Sequence, residues 1–306
     1  MDINHYSPSY SGLEGRSFYS FKDFSPEEIY EILHTARLLK LKNSVGERQP
    51  YLSGKDLLMI TNPEYSSEAI SFRLAVKQLA GSLISMPLEE KHVQSLIEST
   101  DETAALACYG VSGIIVNTSN RHDAKVLARN TDLPVINAHG KTGPCEALAA
   151  MLTCWEKFGK LKDLTLCIIG NVREHSQIFQ CAFKCGMNVR TVAPKEFAPT
   201  EEDRDAASIY SSLTCYESVE KGVKDCDAVY VSPNSGFGQD YILTADAFEL
   251  AAPNAVFLHP MPIDRTTEAE SFVCDGPQSA TSEMAKNLIH AEKAVLALTM
   301  GKPITD

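Results

Sequence analysis

No stretch of this 306-residue chain approaches the roughly 20 consecutive apolar residues of a membrane-spanning helix. The opening residues, Met1-Asp2-Ile3-Asn4-His5, lack the basic start and apolar core of a secretory leader. The nine cysteines, an odd number, include no C-x-x-C pair and no zinc-type His spacing, so neither a disulfide framework nor a metal site is expected. Cys167, Cys181 and Cys185 fall in apolar runs and read as reduced, buried thiols, which points to a cytoplasmic location. Positive charge is scarce: 28 Lys and Arg against 40 Asp and Glu leave a net charge of −12. That balance weighs against a nucleic-acid partner and gives an anionic substrate no long-range attraction. A dinucleotide fingerprint is also missing. Cys167-Ile168-Ile169-Gly170-Asn171-Val172-Arg173-Glu174-His175 contains one glycine where G-x-G-x-x-G is required, so no cofactor is expected.

The most telling absence lies between Ile60 and Phe72. A strand-like run, Leu57 to Ile60, leads into the polar turn Thr61-Asn62-Pro63-Glu64-Tyr65-Ser66-Ser67-Glu68. A helix-like run from Ala69 to Leu79 follows and stops at Gly81. Strand–turn–helix geometry aims free backbone N–H groups above the turn and favours an anion there. Yet this turn carries Glu64 and Glu68 and neither Arg nor Lys.

What is present is a regular alternation. Ser25-Pro26-Glu27-Glu28 opens a helix, with Ser25 as cap, Pro26 in the first helical position and Glu28 closing a capping box. Ile29, Ile32, Leu33, Ala36 and Leu39 recur at helical spacing and predict a helix to about Lys40. Strands are expected at Leu57–Ile60, Ser82–Met86, Gly113–Val116 and Val135–Ile136, with helices from Ala69, Lys91, Ala104 and Asp123. A long helix should run from Pro144 to Phe158 and end at Gly159. The pattern then restarts with strands at Leu164–Ile169, Asn188–Ala193, Ala228–Val231 and Ala255–Leu258, a helix from His175 to Cys185, and a last helix from about Ser282 to Met300. This alternation predicts two α/β domains with parallel sheets flanked by helices. The boundaries read from it are 1–148 with the C-terminal segment 286–306, and 149–285.

Several segments, weak singly, coincide in order and spacing with one family. They are Phe24-Ser25-Pro26-Glu27-Glu28-Ile29, Ser71-Phe72 through Gln78-Leu79, Pro144-Cys145-Glu146-Ala147-Leu148, Phe158-Gly159-Lys160-Leu161, Gly170-Asn171-Val172 with His175-Ser176, His259-Pro260-Met261-Pro262, and Asn287, His290-Ala291 and Lys293 to Leu296. Together they resemble the aspartate and ornithine carbamoyltransferases. That resemblance implies transfer of a carbamoyl group from carbamoyl phosphate to an amino acid, in a trimer with its site at a subunit boundary. It implies a Ser-Thr-Arg-Thr-Arg turn, an Arg after the third strand and a His-Pro-x-Gln motif around the donor. Here the turn maps to Tyr65-Ser66-Ser67-Glu68-Ala69, the Arg to Asn117, and the His and Gln to Gly143 and Glu146. The donor positions Ser66, Ser67, Glu68, Asn117, Gly143 and Glu146 therefore hold no cation. Each charged hydrogen bond to a phosphate contributes on the order of 1.5–3 kcal/mol, so this combined loss predicts that carbamoyl phosphate is no longer bound.

The resemblance also places a second-substrate site at Asn171, His175, Ser235, His259, Pro260, Met261, Pro262 and Arg265, with Ser232 where ornithine enzymes carry an acid. His259 either polarises a substrate carbonyl or packs at a strand end. Asn171 and His175 either bind a ligand or cap a helix. His139 and Lys141, in a glycine-rich loop, offer a substitute anion site or an exposed loop. Lys91, with His92, lies in the segment that the family inserts into a neighbouring site. The expectation is a catalytically inactive or regulatory homologue that binds an amino acid or related metabolite, forms a homotrimer and partners an active carbamoyltransferase subunit. The alternative is a divergent transferase with an unusual donor.

Overall fold

The computed structural model describes residues 12–62, 67–140, 143–174, 176–233 and 237–301, with only the backbone of Ser67. Two parallel sheets form the frame. The first has the order β2-β1-β3-β4, with β1 Asp56–Thr61, β2 Ser82–Pro87, β3 Val111–Asn117 and β4 Val135–Asn137. The second has the order β7-β6-β5-β8-β9, with β5 Thr165–Ile169, β6 Asn188–Val192, β7 Leu213–Tyr216, β8 Ala228–Val231 and β9 Val256–Leu258. All the strand pairings are parallel.

Successive strand residues point to opposite faces, and both faces are buried. In β1, Leu57 and Met59 join one apolar cluster while Leu58 and Ile60 join another. In β5, Leu166 and Ile168 join the first of these clusters, and Cys167 and Ile169 a third. One core is thus shared by the inner faces of both sheets, and each outer face has its own.

Helices fill the shared layer. α1 (Pro26–Ser44) starts with the expected capping box at Ser25 and Glu28, and runs four residues beyond Lys40. α2 (Ser67–Gln78) follows β1. α6 (Pro144–Phe158) has Pro144 in its first turn and ends on Gly159 at φ 73°, a left-handed cap that glycine adopts without strain. α12 (Thr281–Met300) follows β9 and packs against α1, α2 and α6. Lys40 of α1, Glu156 of α6 and Asn287 of α12 lock three of these helices together. Lys40 Nζ donates to Glu156 Oε2 at 2.7 Å and Asn287 Oδ1 at 2.7 Å, and Asn287 Nδ2 donates to Thr153 Oγ1 at 3.0 Å and Glu156 Oε2 at 2.8 Å.

One sequence expectation changes here. β7 was not foreseen: it is a four-residue edge strand with no fully buried side chain, so it carries no apolar run. The helix expected from His175 to Cys185 is present as α7, described over Ser176–Lys184; His175 lies outside the described residues.

Candidate functional site

In parallel sheets, ligand sites gather beyond the carboxyl ends of the strands, where the strand order reverses. In the first sheet that point lies between β1 and β3, where Thr61 pairs in register with Asn117. The chain leaving β1 enters α2, and the chain leaving β4 reaches α6 through Ala138–Gly143. Together with α12 these segments enclose a small cavity with room for about one water molecule.

The charge of this cavity is its defining property. Glu68 of α2, Glu146 of α6 and Glu292 of α12 all line it, with relative exposures of 6%, 7% and 0%. No lysine or arginine lines it among the described residues. The rest of the wall includes Phe72, Ala138, His139, Cys145 and Leu288. Burial pushes the Glu292 carboxyl well above its ordinary value of 4.5; a hydrogen bond with Ser71 pulls the other way, and the charges of Glu146 and Glu68 add to the rise. Ser71 Oγ contacts Glu292 Oε1 and also lies 2.9 Å from the carbonyl oxygen of Glu68. The Cys145 thiol is pushed up by burial and then by Glu292 and Glu146, which holds it protonated and inert as a nucleophile.

Glu68, Gly143, Glu146 and His139 were all expected near an anion, and the structure brings them into one cavity. Gly143 takes the N-cap position of α6, where an added Cβ would lie 2.7 Å from the carbonyl oxygen of His139. A larger residue at this position would force the backbone of the loop to shift. His139 Nδ1 donates to the Thr118 carbonyl oxygen at 2.8 Å. Asn117 is buried at the end of β3 but does not line the cavity. Lys91 lies on the exposed first turn of α3 (Glu90–Glu98), 3.0 Å from Glu89, and does not line the cavity. Ser66, Lys141, His175 and Ser235, and the side chain of Ser67, lie outside the described residues.

The second group of expected residues gathers at the ends of β5, β8 and β9. The His259 ring has no exposed surface. Its Nδ1 lies 2.6 Å from the Pro260 carbonyl oxygen and its Nε2 3.0 Å from Glu268 Oε2. Glu268 Oε2 also accepts the Asp264 N–H at 2.6 Å, so His259 and Glu268 anchor the whole 259–268 loop. Met261 and Pro262, joined by a cis peptide bond, stand exposed on that loop, and Pro260 is buried. Arg265 points to Asp275 at 2.6 Å on the surface, a pairing that satisfies its cation within the chain. Asn171 Oδ1 accepts the N–H groups of Arg173 at 3.1 Å and Glu174 at 3.4 Å, closing the turn between β5 and α7. Gly170 at φ 137° brings β5 against Ser232, whose Cβ would lie 2.5 Å from any added Cβ.

Two regions of this chain match known family profiles. Residues 16–156 match the carbamoyl-P binding domain of aspartate/ornithine carbamoyltransferase, and residues 162–299 match its Asp/Orn binding domain. The ornithine carbamoyltransferase of Pyrococcus abyssi is 30% identical over 308 residues, covering 94% of this chain and 97% of that protein. The chain belongs to the aspartate/ornithine carbamoyltransferase family. The ornithine carbamoyltransferase of Bacillus subtilis is 32% identical over 313 residues, covering 95% and 96%. Among solved structures, the ornithine carbamoyltransferase of Pyrococcus furiosus superposes with a TM-score of 0.86 at 28% identity, covering 94% of this chain and 98% of that one. Aspartate transcarbamoylase of Trypanosoma cruzi, solved with carbamoyl phosphate and aspartate, shares the fold with a TM-score of 0.82 at 18% identity, covering 96% and 99%.

One residue lining this cavity, Glu292, is not among those the sequence predicts; it lies between His290-Ala291 and Lys293-Ala294. A signal existed: Glu292 stands four residues after Leu288 and three before Val295, on the apolar stripe of the last helix. A carboxylate on such a stripe is either paired or functional.

Proposed function

We propose that this protein is a carbamoyltransferase-family member that does not bind carbamoyl phosphate and serves as an inactive or regulatory homologue. One observation carries this reading: the donor cavity is lined by three buried glutamates, with no cationic side chain among the described residues. Two unit charges about 5 Å apart interact with about 3 kcal/mol at an effective dielectric of about 20. A phosphate dianion beside such carboxylates meets repulsion of that order from each ionised one, where catalysis requires attraction. Titration of the purified protein with carbamoyl phosphate, followed by heat and by melting temperature, tests the reading. No response is expected, and binding at micromolar concentration overturns it.

A second reading, a divergent transferase acting on an amino acid or related amine with an unusual donor, draws support from the loop anchored by His259 and Glu268. It predicts turnover with a new donor that His259→Ala abolishes. On either reading we place the protein in the cytoplasm as a homotrimer, alone or with an active carbamoyltransferase subunit. Ile70 and Leu74 of α2 and Ile84 of β2, all exposed in the single chain, supply an apolar surface for such contacts. No helix among the described residues is long and apolar enough to cross a membrane.

A further inference from the structure

We propose that residues 15–24 form a strap between the halves that carry the two sheets, and that Lys184 is its latch. The strap ties α7 to the first sheet, so that the corner between β5 and α7 moves only with that sheet. The inference is independent of which reading of the function holds.

One side of the strap is built into the first half. The Gly15 N–H donates to the Thr299 carbonyl oxygen of α12 at 2.8 Å, and Arg16 pairs with Glu28 of α1. Phe18 then bridges Ile136 in parallel, on the outer side of the edge strand β4. Its N–H donates to the Val135 carbonyl oxygen at 2.8 Å, and its own carbonyl oxygen accepts the Asn137 N–H at 2.9 Å. The Phe18 ring meets Phe21 and Phe24 edge-on, with centroids 5.4 and 5.0 Å away, and all three rings are buried.

The other side is gripped by α7 at both of its ends. Gln177, in the first turn, accepts the Phe21 N–H at 3.3 Å through Oε1. Lys184, in the last turn, donates to the carbonyl oxygens of Phe21 at 2.6 Å, Lys22 at 3.1 Å and Phe24 at 2.7 Å. Just beyond the helix, Tyr30 Oη of α1 donates to the Cys185 carbonyl oxygen at 2.9 Å.

The distances rank these ties. Ser20 Oγ lies 3.5 Å from Gln180 Oε1, and the bond to Gln177 is also long, so both are weak. The Lys184 bonds are short and charge-assisted, which makes each about twice as strong as a neutral one. An ammonium has three N–H donors, and here all three find a carbonyl. A neutral amine has two donors for the same three acceptors, so the latch depends on the charge. A lysine in the last turn of a helix ordinarily serves its own helix's carbonyls. This one serves another segment, which is what makes it a tie between halves.

The consequence reaches the second group of candidate residues. α7 leaves the turn that Asn171 closes, so a device that fixes α7 fixes that turn. A further tie lies there: Arg121, in the segment after β3, donates to the Arg173 carbonyl oxygen at 3.3 Å. It is long and exposed, and it cannot hold the corner alone.

The test is hydrogen exchange of the full chain, read by mass spectrometry. Lys184→Met keeps the apolar stem and loses the ammonium. It should accelerate exchange in residues 18–24 and in α7 together, by at least about tenfold, and leave β1 and β8 unchanged. Lys184→Arg keeps the charge and should stay close to the parent. Gln177→Ala, a milder change, should accelerate the same two segments by a smaller factor. Trypsin gives a second readout: the bond after Lys22, whose carbonyl Lys184 holds, should be cut in Lys184→Met under conditions that spare the parent. Acceleration spread evenly over the whole chain means a general loss of stability and overturns the latch. A loosened strap with unchanged exchange in α7 overturns the tie between the halves. Equal acceleration in Lys184→Arg and Lys184→Met overturns the dependence on charge, and unchanged exchange in every variant overturns the proposal.

Discussion

Ser71 of α2 and Glu292 of α12 are in hydrogen-bond contact although 221 positions separate them in the chain. The contact gives a carboxyl group with no exposed surface a hydrogen-bond partner where α2, α6 and α12 meet. Its energetic consequence follows from the direction of the Glu292 shift. Below the ordinary value of 4.5 this carboxyl is protonated in both folded and unfolded chains. As the pH rises above 4.5, the unfolded chain releases the proton and the folded chain retains it, so stability falls until the folded group also ionises. Glu292→Gln removes this dependence. The variant should be more stable than the parent at pH 7, with the advantage shrinking toward pH 4.5, as measured by urea unfolding across that range.

Lys293, the next residue, is fully buried, with Nζ 3.1 Å from Gln78 Oε1. Burial lowers its pKa from 10.5 to about 8. Between those values the unfolded chain holds a proton that the folded chain has released, so stability rises with pH through that window and the full cost applies below pH 8. Lys293→Met keeps the packing volume but gives up the hydrogen bond to Gln78. It should stabilise the protein by about 1–2 kcal/mol at pH 7, and the gain should disappear near pH 10.5. Thermal melts at pH 7 and pH 10 check this.

Gly143 and the His139 carbonyl oxygen set a steric limit. Gly143→Ala should cost about 1–3 kcal/mol, because the added Cβ meets backbone rather than a movable side chain. Gly143→His, the residue that the sequence resemblance implies here, should destabilise further and leave carbamoyl phosphate binding undetected. Melting temperature and calorimetry on the two variants decide this.

Asn287 uses both ends of its amide to join Lys40, Thr153 and Glu156 with no surface exposed. Asn287→Ala opens a cavity and leaves partners unmet, at an expected cost of about 2–4 kcal/mol. A lowered midpoint in urea with an unchanged slope is the expected signature.

These cases also mark where sequence reasoning reached and where it stopped. β1 and β5 were legible because both faces of each strand are buried and the apolar run is unbroken. β7 was not, because Leu213–Tyr216 is a short, half-exposed edge whose pairing comes entirely from β6. α1 and α6 announced their first turns through Ser25, Pro26 and Pro144, chemistry that is local to the chain. The expectation of missing cations was read at Ser67, Ala69 and Asn117, and that of a missing histidine at Gly143, through their spacing from neighbouring segments. The gathering of Glu292 with Glu68 and Glu146 was not legible, since it depends on α12 folding back across the first sheet's helices. The partners of His259 and Arg265 were hidden for a related reason: Glu268 and Asp275 lie within a loop whose path has no periodic pattern.

The position of α12 has a consequence for biosynthesis. Its residues follow β9 in the chain, so a ribosome completes both sheets before it delivers the helix that carries Glu292 and Asn287. Until then α2 and α6 expose the apolar flanks that α12 will cover, and the pocket stands open on one side. The nascent protein therefore carries its two sheets before the shared layer between them is closed.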